Sequence, residues 1–238
     1  MRFGSLVASI IFAFAIFQDP VAVSPKMISV AFENDRVRVL RVKLGPHDRI
    51  ETHSHPGLVV VPLTAGSRRI YSPDGSHQDT IATPGDVHWR DPSTHAVENL
   101  IDTPSENIEI EFKNASAPAV PVSQPEMAAV PSDSAEPVPV NREPHHRVVF
   151  ENQYVRVVDV NIPPGQTTLF HTHQRDNISV RISGGLTQTQ TEGNDWNPPK
   201  QNERGSVNFS DGSKKPYTHR IKNLGADTYH VIDVELIP

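Results

Sequence analysis

Twelve histidines stand in this chain of 238 residues, and six of them fall in a repeated pattern. His53-Ser54-His55 recurs as His171-Thr172-His173, and His95 recurs as His219. Each third histidine is followed four residues on by an asparagine, Asn99 or Asn223. Two histidines at i and i+2 on a strand share one face. A third from a distant strand can meet them inside a small barrel. Three neutral imidazoles then bind a divalent metal and leave coordination positions open for water or substrate. With Fe(II) such a site handles a substrate together with dioxygen. With Zn(II) it activates water, and with Mn or Ni it suits lyase or isomerase chemistry. A single His-x-His is weak evidence, because exposed strand histidines are common. Two copies, each with a matched third histidine, have no shared packing purpose.

The elements that must position these residues are strands. Val37-Arg38-Val39-Leu40-Arg41-Val42 and Ile108-Glu109-Ile110-Glu111-Phe112 are short apolar or alternating runs, broken by Gly, Pro, Asp and Asn. Outside the N-terminus no segment sustains a 3.6-residue period, and 22 prolines disfavour long helices. The chain is also duplicated. Phe32 opens "FENDRVRV" and Phe150 opens "FENQYVRV", with six of eight positions the same. The offset is 118 at the His-x-His pairs and 124 at the third histidine, so the second copy carries six extra residues, assigned to the polar loop around 194–199. Repeats of this length imply a duplicated domain. Residues 115–144, with seven prolines, read as an extended linker; the rival is a strap along the protein surface.

Around the histidines lie Gly45, Thr83-Pro84-Gly85-Asp86, Pro164-Gly165 and Arg204-Gly205-Ser206. Together with the His-x-His pairs and the final His-x-x-x-Asn, they make the chain resemble the cupin superfamily, and its two copies a bicupin. The resemblance implies an all-β fold of two tandem jelly-roll (cupin-type) β-barrels, one over 28–114 and one over 145–238. It implies metal triads His53, His55, His95 and His171, His173, His219, with one divalent metal per barrel; Fe, Zn, Mn and Ni are not distinguished. One departure matters. The family's acid should follow the second histidine by four or five residues, where Val59, Val60, Asn177 and Ile178 stand. A dication would then keep its full charge, which favours anionic ligands such as a carboxylate or enolate.

The first pocket is expected to be the drier one, because Val59, Val61 and Leu63, or Val60 and Pro62, follow its pair. In the second copy Ile178, Val180 and Ile182 are expected inward, leaving Asn177, Ser179 and Arg181 on the surface. Asn99 and Asn223 should tie turns, Trp89 and Phe209 should pack in the core, and Arg38 and Arg156 should be solvated or interfacial. His145-His146 reads as a surface pair. His47, His77, His88 and His230 receive no role, and no general base is named, since strand parity turns Glu98 away.

Composition bounds the rest. A net charge of −6 argues against a nucleic-acid binder. The absence of cysteine excludes disulfides, thiolate sites and a lipoprotein anchor. Arg2 and the apolar run Leu6–Phe17, with Ala13-Phe14-Ala15, read as a cleaved export signal over residues 1–24, the alternative being an uncleaved anchor. The reading is therefore a periplasmic or secreted metal-binding bicupin. It acts as a mononuclear, dioxygenase-like or otherwise metal-assisted enzyme on a small anionic or oxygen-rich molecule. The alternative is a non-catalytic metal- or ligand-binding or structural bicupin. No nucleic acid partner is expected, nor a membrane after cleavage, and a homodimer is compatible with this reading. Mass spectrometry of exported protein should find the first ~15–24 residues missing; intact Met1 on soluble protein would count against the signal.

Overall fold

A computed structural model describes residues 18–123, 134 and 136–238. The apolar run of the export signal and the middle of the proline-rich segment lie outside the described residues. Nine strands build the first half: β1 (Ile28–Glu33), β2 (Val37–Leu44), β3 (Arg49–His55), β4 (Leu58–Pro62), β5 (Gly66–Tyr71), β6 (His77–Ala82), β7 (His88–Arg90), β8 (Ser93–Asn99) and β9 (Ser105–Phe112). They form two sheets, ordered β1-β2-β9-β4-β7 and β3-β8-β5-β6. The second half has β10 (Val138–Pro139), β11 (His146–Glu151), β12 (Val155–Ile162), β13 (His171–His173), β14 (Asp176–Arg181), β15 (Gly185–Thr191), β16 (Lys200–Asn202), β17 (Val207–Asp211), β18 (Tyr217–Asn223) and β19 (Tyr229–Leu236). Its sheets run β11-β12-β19-β14-β17 and β10-β13-β18-β15-β16. Apart from the edge strand β10, the second half repeats the order of the first. The chain is thus all-β, two tandem jelly rolls.

Strand alternation sorts the residues into three compartments. Val37, Val39, Val59, Val61, Ile108 and Ile110 leave the first jelly roll and meet Val155, Val157, Ile178, Val180, Ile232 and Val234 of the second in one buried cluster. Leu40, Val42, Leu44 and Ile50 fill the first interior, and Val158, Val160 and Ile162 the second. Aromatic pairs flank the shared core. Phe32 stacks on Phe209 with centroids 4.8 Å apart, and Trp89 on Tyr154 at 5.5 Å. Trp89 and Phe209 are therefore packing residues, as expected. Reciprocal arginines close the seam: Arg41 donates to the Gly205 carbonyl, and Arg204 to that of Leu63.

Two segments differ from the expectation. Residues 138–142 are a strap rather than a free linker. Val138 and Val140 are buried, Val138 N donates to Phe170 O at 2.9 Å, and β10 runs parallel to β13 beside His171. Pro139 is tolerated because an edge strand need not donate along its whole length. Residues 18–24, expected to leave with the signal, belong to the fold. Asp19 caps the helical turn α1 (Pro20–Val23), accepting from Val21 N at 2.9 Å, and Gln18 O accepts from Ser54 N at 2.9 Å. In both halves the chain entering the jelly roll covers the edge of the strand that carries the His-x-His pair.

Because one core serves both halves, damage on one side should unfold both. Ile178→Ala is expected to cost about 2–5 kcal/mol. Urea unfolding followed by fluorescence, with Trp89 on the seam, should remain a single transition. Two separated transitions would show that the halves are stable independently.

Candidate metal centres

Strand register brings each triad together. His53 lies opposite His95 in the β3–β8 pair, and His171 opposite His219 in the β13–β18 pair. His55 and His173, two residues on, share the same face. In each half one nitrogen from each of the three rings lies within 4.8 Å of the others. His173 Nε2 and His219 Nε2 are 3.2 Å apart, the spacing of two ligands on one ion. The outer nitrogens are held from behind. His53 Nδ1 bonds Glu51 O at 2.7 Å, His171 Nδ1 bonds Leu169 O at 3.0 Å, and His55 Nδ1 bonds Glu111 Oε1 at 2.6 Å. This fixes Nδ1 as the protonated nitrogen and leaves the Nε2 lone pair for a metal. Burial pushes His95 down to about 2, His171 to about 4 and His173 to about 3, and it lowers His53 and His219. These imidazoles are neutral at pH 7, as ligands must be. The six predicted residues thus come together as two triads whose donor sets fit a divalent metal.

The acid expected after the second histidine comes instead from the last strand of each half. Val60 lies opposite Glu109, and Ser179 opposite Asp233. Glu109 Oε2 is 3.8 Å from His55 Nε2, and Asp233 Oδ2 is 3.7 Å from His173 Nδ1. Glu111 and Glu235 stand two residues further on. Arg38 Nε donates to Glu111 Oε2 at 2.6 Å and Arg156 Nη1 to Glu235 Oε2 at 3.2 Å. Arg38 also reaches Asp19 Oδ2 at 2.5 Å. Neither arginine is the solvated or interfacial residue expected. Each faces inward and compensates a buried acid. The signal was present in the sequence: Glu109-x-Glu111 and Asp233-x-Glu235 recur at the same 124-residue offset as the third histidine.

The two acid pairs differ in charge. Burial pushes Glu111 up, but the hydrogen bonds and charges of His55 and Arg38 more than offset it, and its carboxyl lies below the ordinary range. In the second half burial prevails. Asp233 is pushed up to about 7, with Glu235 adding and Asn177 and Arg181 opposing, and Glu235 is raised as well.

The lining corrects both parity expectations. Ile178, Val180 and Ile182 point into the shared core, while Asn177, Ser179 and Arg181 line a cavity of about 280 Å³ with the second triad. The reason is one of the six extra residues. The step from His173 to Asn177 is one longer than that from His55 to Leu58, although both endpoints face equivalent acids, Glu235 and Glu111. A one-residue slip exchanges the faces of a strand. Nor is the first pocket the drier one. Its cavity of about 310 Å³ is bounded by Val60 and Pro62 but also by Arg68, Arg90, Asn107 and Glu109.

His146 is a further correction. It is buried rather than superficial, lines the second cavity, and lies 4.6 Å from His171 between ring centroids. Its Nδ1 bonds Val140 O at 2.7 Å, and its Nε2 has no hydrogen-bond partner. Ile28 opens the matching strand of the first half, so His146 has no counterpart there, and the additional histidine lining the first cavity is His88 on β7. The first site is distinguished by Arg90, whose Nη1 lies 3.3 Å from His95 Nε2; a metal and this contact compete for one lone pair. Asn99 and Asn223 tie turns as expected, donating to Gly45 O and Ile162 O, each at 2.8 Å.

No protein-family model and no curated protein matches the chain. Solved structures do. AerE from Microcystis aeruginosa is 15% identical with a TM-score of 0.58, over 89% of this chain and 98% of its own. A cupin 2 conserved barrel domain protein from Leptotrichia buccalis is 11% identical with a TM-score of 0.52, over 88% of each chain. Bacillus subtilis oxalate decarboxylase, a protein with Mn(II) centers, is 12% identical with a TM-score of 0.54, over 85% of this chain and 69% of its own. At these identities the likeness is one of fold.

Asp233 gives a pH test on metal-free protein. An unfolded aspartate ionises near pH 3.9, whereas buried Asp233 keeps its proton to about 7. Its contribution to stability therefore falls as pH rises from about 4 to about 7 and is level above. Asp233→Asn should gain on the parent across that window and hold the gain beyond it, as read from urea titrations. A difference independent of pH would rule out a raised Asp233.

Proposed function

The chain has the bicupin-like fold of the cupin superfamily, and from that premise we propose that it is an exported bicupin binding one divalent metal in each jelly roll. We further propose that it acts as a metal-assisted enzyme on a small anionic or oxygen-rich molecule. The observation that carries the reading is the pair of buried three-histidine clusters, in which His53, His55 and His171 are anchored from behind through Nδ1. Polar groups converge on each triad, which favours an enzyme over a non-catalytic ligand binder, for which an apolar lining would suffice.

His53, His55 and His95 would hold the first ion, and His171, His173 and His219 the second. A bound dication supplies Lewis acidity and, if redox-active, a path for electrons. The chain's own groups do the rest. In the second cavity Arg181, bonded to Ser179 Oγ and Tyr229 OH at 3.3 Å each, orients a negatively charged group. Asp233 holds or releases a proton at Oδ2 near neutrality, beside His173. Tyr217 stacks on His173 with centroids 4.7 Å apart, and burial pushes its hydroxyl up to about 12, so it stays a neutral donor. In the first cavity Glu109 is the nearest acid to the triad. The Mn(II) centers named for the oxalate decarboxylase neighbour support testing Mn first, with Fe, Zn and Ni beside it.

Elemental analysis after metal loading tests the reading. The parent should hold two equivalents, His95→Ala and His219→Ala one each, and the double variant none. If the double variant binds metal as tightly as the parent, the triads are not the sites.

A further inference from the structure

The first jelly roll contains cationic donors that the protein itself does not satisfy. Arg68, on β5, is 9% exposed, and its Nε and Nη2 are buried with no hydrogen-bond partner. Arg90, on β7, lines the same cavity and donates to His95 Nε2 at 3.3 Å. The acid beside them, Glu109, already accepts from Asn107 Nδ2 at 2.8 Å. Asp86 also lines the cavity but is exposed. Burial lowers the pKa of both arginines from their ordinary value, but a guanidinium stays charged at neutral pH. In the second cavity Arg181 finds Ser179 and Tyr229, and the unbonded Arg175 Nη1 lies outside that cavity's lining. Buried donors left without acceptors inside a cavity that opens beside a metal triad are arranged for a ligand that brings its own acceptors.

We propose that the first jelly roll binds a short-chain dicarboxylate. One carboxylate is clamped by Arg68, and the other meets Arg90 where it reaches His95. Two features select this class. The planar guanidinium fork matches a carboxylate bidentately. The cavity wall also includes Val42, Val60 and Val97, which suit a carbon skeleton and offer nothing to a compact inorganic anion. The volume of about 310 Å³ fits a molecule of a few carbons. Both contacts are made by arginines and need no metal.

The test uses the full chain freed of metal with EDTA, so that the arginines are read apart from the triads. Calorimetric titration with malonate and succinate should show one site per chain, tighter than for acetate or inorganic phosphate. Arg68→Met and Arg90→Met should each weaken that binding by about tenfold or more, while Arg69→Met, on the outer face of the same strand and paired with Asp79, should not. Malonate should raise the melting temperature of the parent and not that of Arg68→Met, which separates lost binding from lost folding. Three results would each overturn the proposal: no dicarboxylate binding by the parent, undiminished affinity in Arg68→Met, or phosphate bound more tightly than either dicarboxylate. None of them would touch the triads, whose metal content is measured separately.

Discussion

The structure depends on one constraint: the sheets β2-β9-β4 and β12-β19-β14 are buried on both faces. Their outer faces close against each other as Val, Ile and Leu, so the apolar residues of each strand are already committed. Everything between them must point into a jelly-roll interior. A strand buried on one face only could have turned its acids to water. Here Glu109, Glu111, Asp233 and Glu235 are carried inward, where an ionised carboxylate persists only with a partner.

The partners supplied define the chemistry of each site. In the first half a line of charge runs from Asp19 through Arg38 and Glu111 to His55. Each group stabilises the charge or tautomer of the next, and the line ends on a histidine of the triad. In the second half the same geometry is looser. Glu235 shares its arginine with Glu151, His173 Nδ1 stands 3.7 Å from Asp233, and the acid next to the triad is raised to about 7. Duplication has thus kept the triads and separated their surroundings. One site has a firmly ionised carboxylate and unsatisfied guanidinium donors, the other a near-neutral acid and His146 packed against its triad.

The segments that precede the jelly rolls take part in both sites. Residues 18–23 lie on β3 and supply the carboxylate for Arg38, while residues 138–146 lie on β13 and supply His146. In each case a backbone bond to the exposed edge of the histidine strand satisfies a group that the sheet leaves open. The entering chain therefore forms a wall of the site as well as a connection.

Much of this was legible in the residues themselves. His53, His55 and His95, repeated as His171, His173 and His219, declare two sites, because i, i+2 spacing fixes a shared strand face without reference to anything distant. The turn-tying role of Asn99 and Asn223 follows from the same local logic. What tertiary structure alone decided was which strand faces look inward, and this depends on contacts far away in the chain. Alternation in Ile108–Phe112 shows two faces but not which one meets a core. The default of apolar side inward fails because a second jelly roll covers the outside. One extra residue between His173 and Asn177 then reverses the parity of β14, and no local pattern marks it; only pairing with Glu235 does. His146 and Arg68 were invisible for the same reason, since burial beside a triad is a property of packing and not of sequence neighbours.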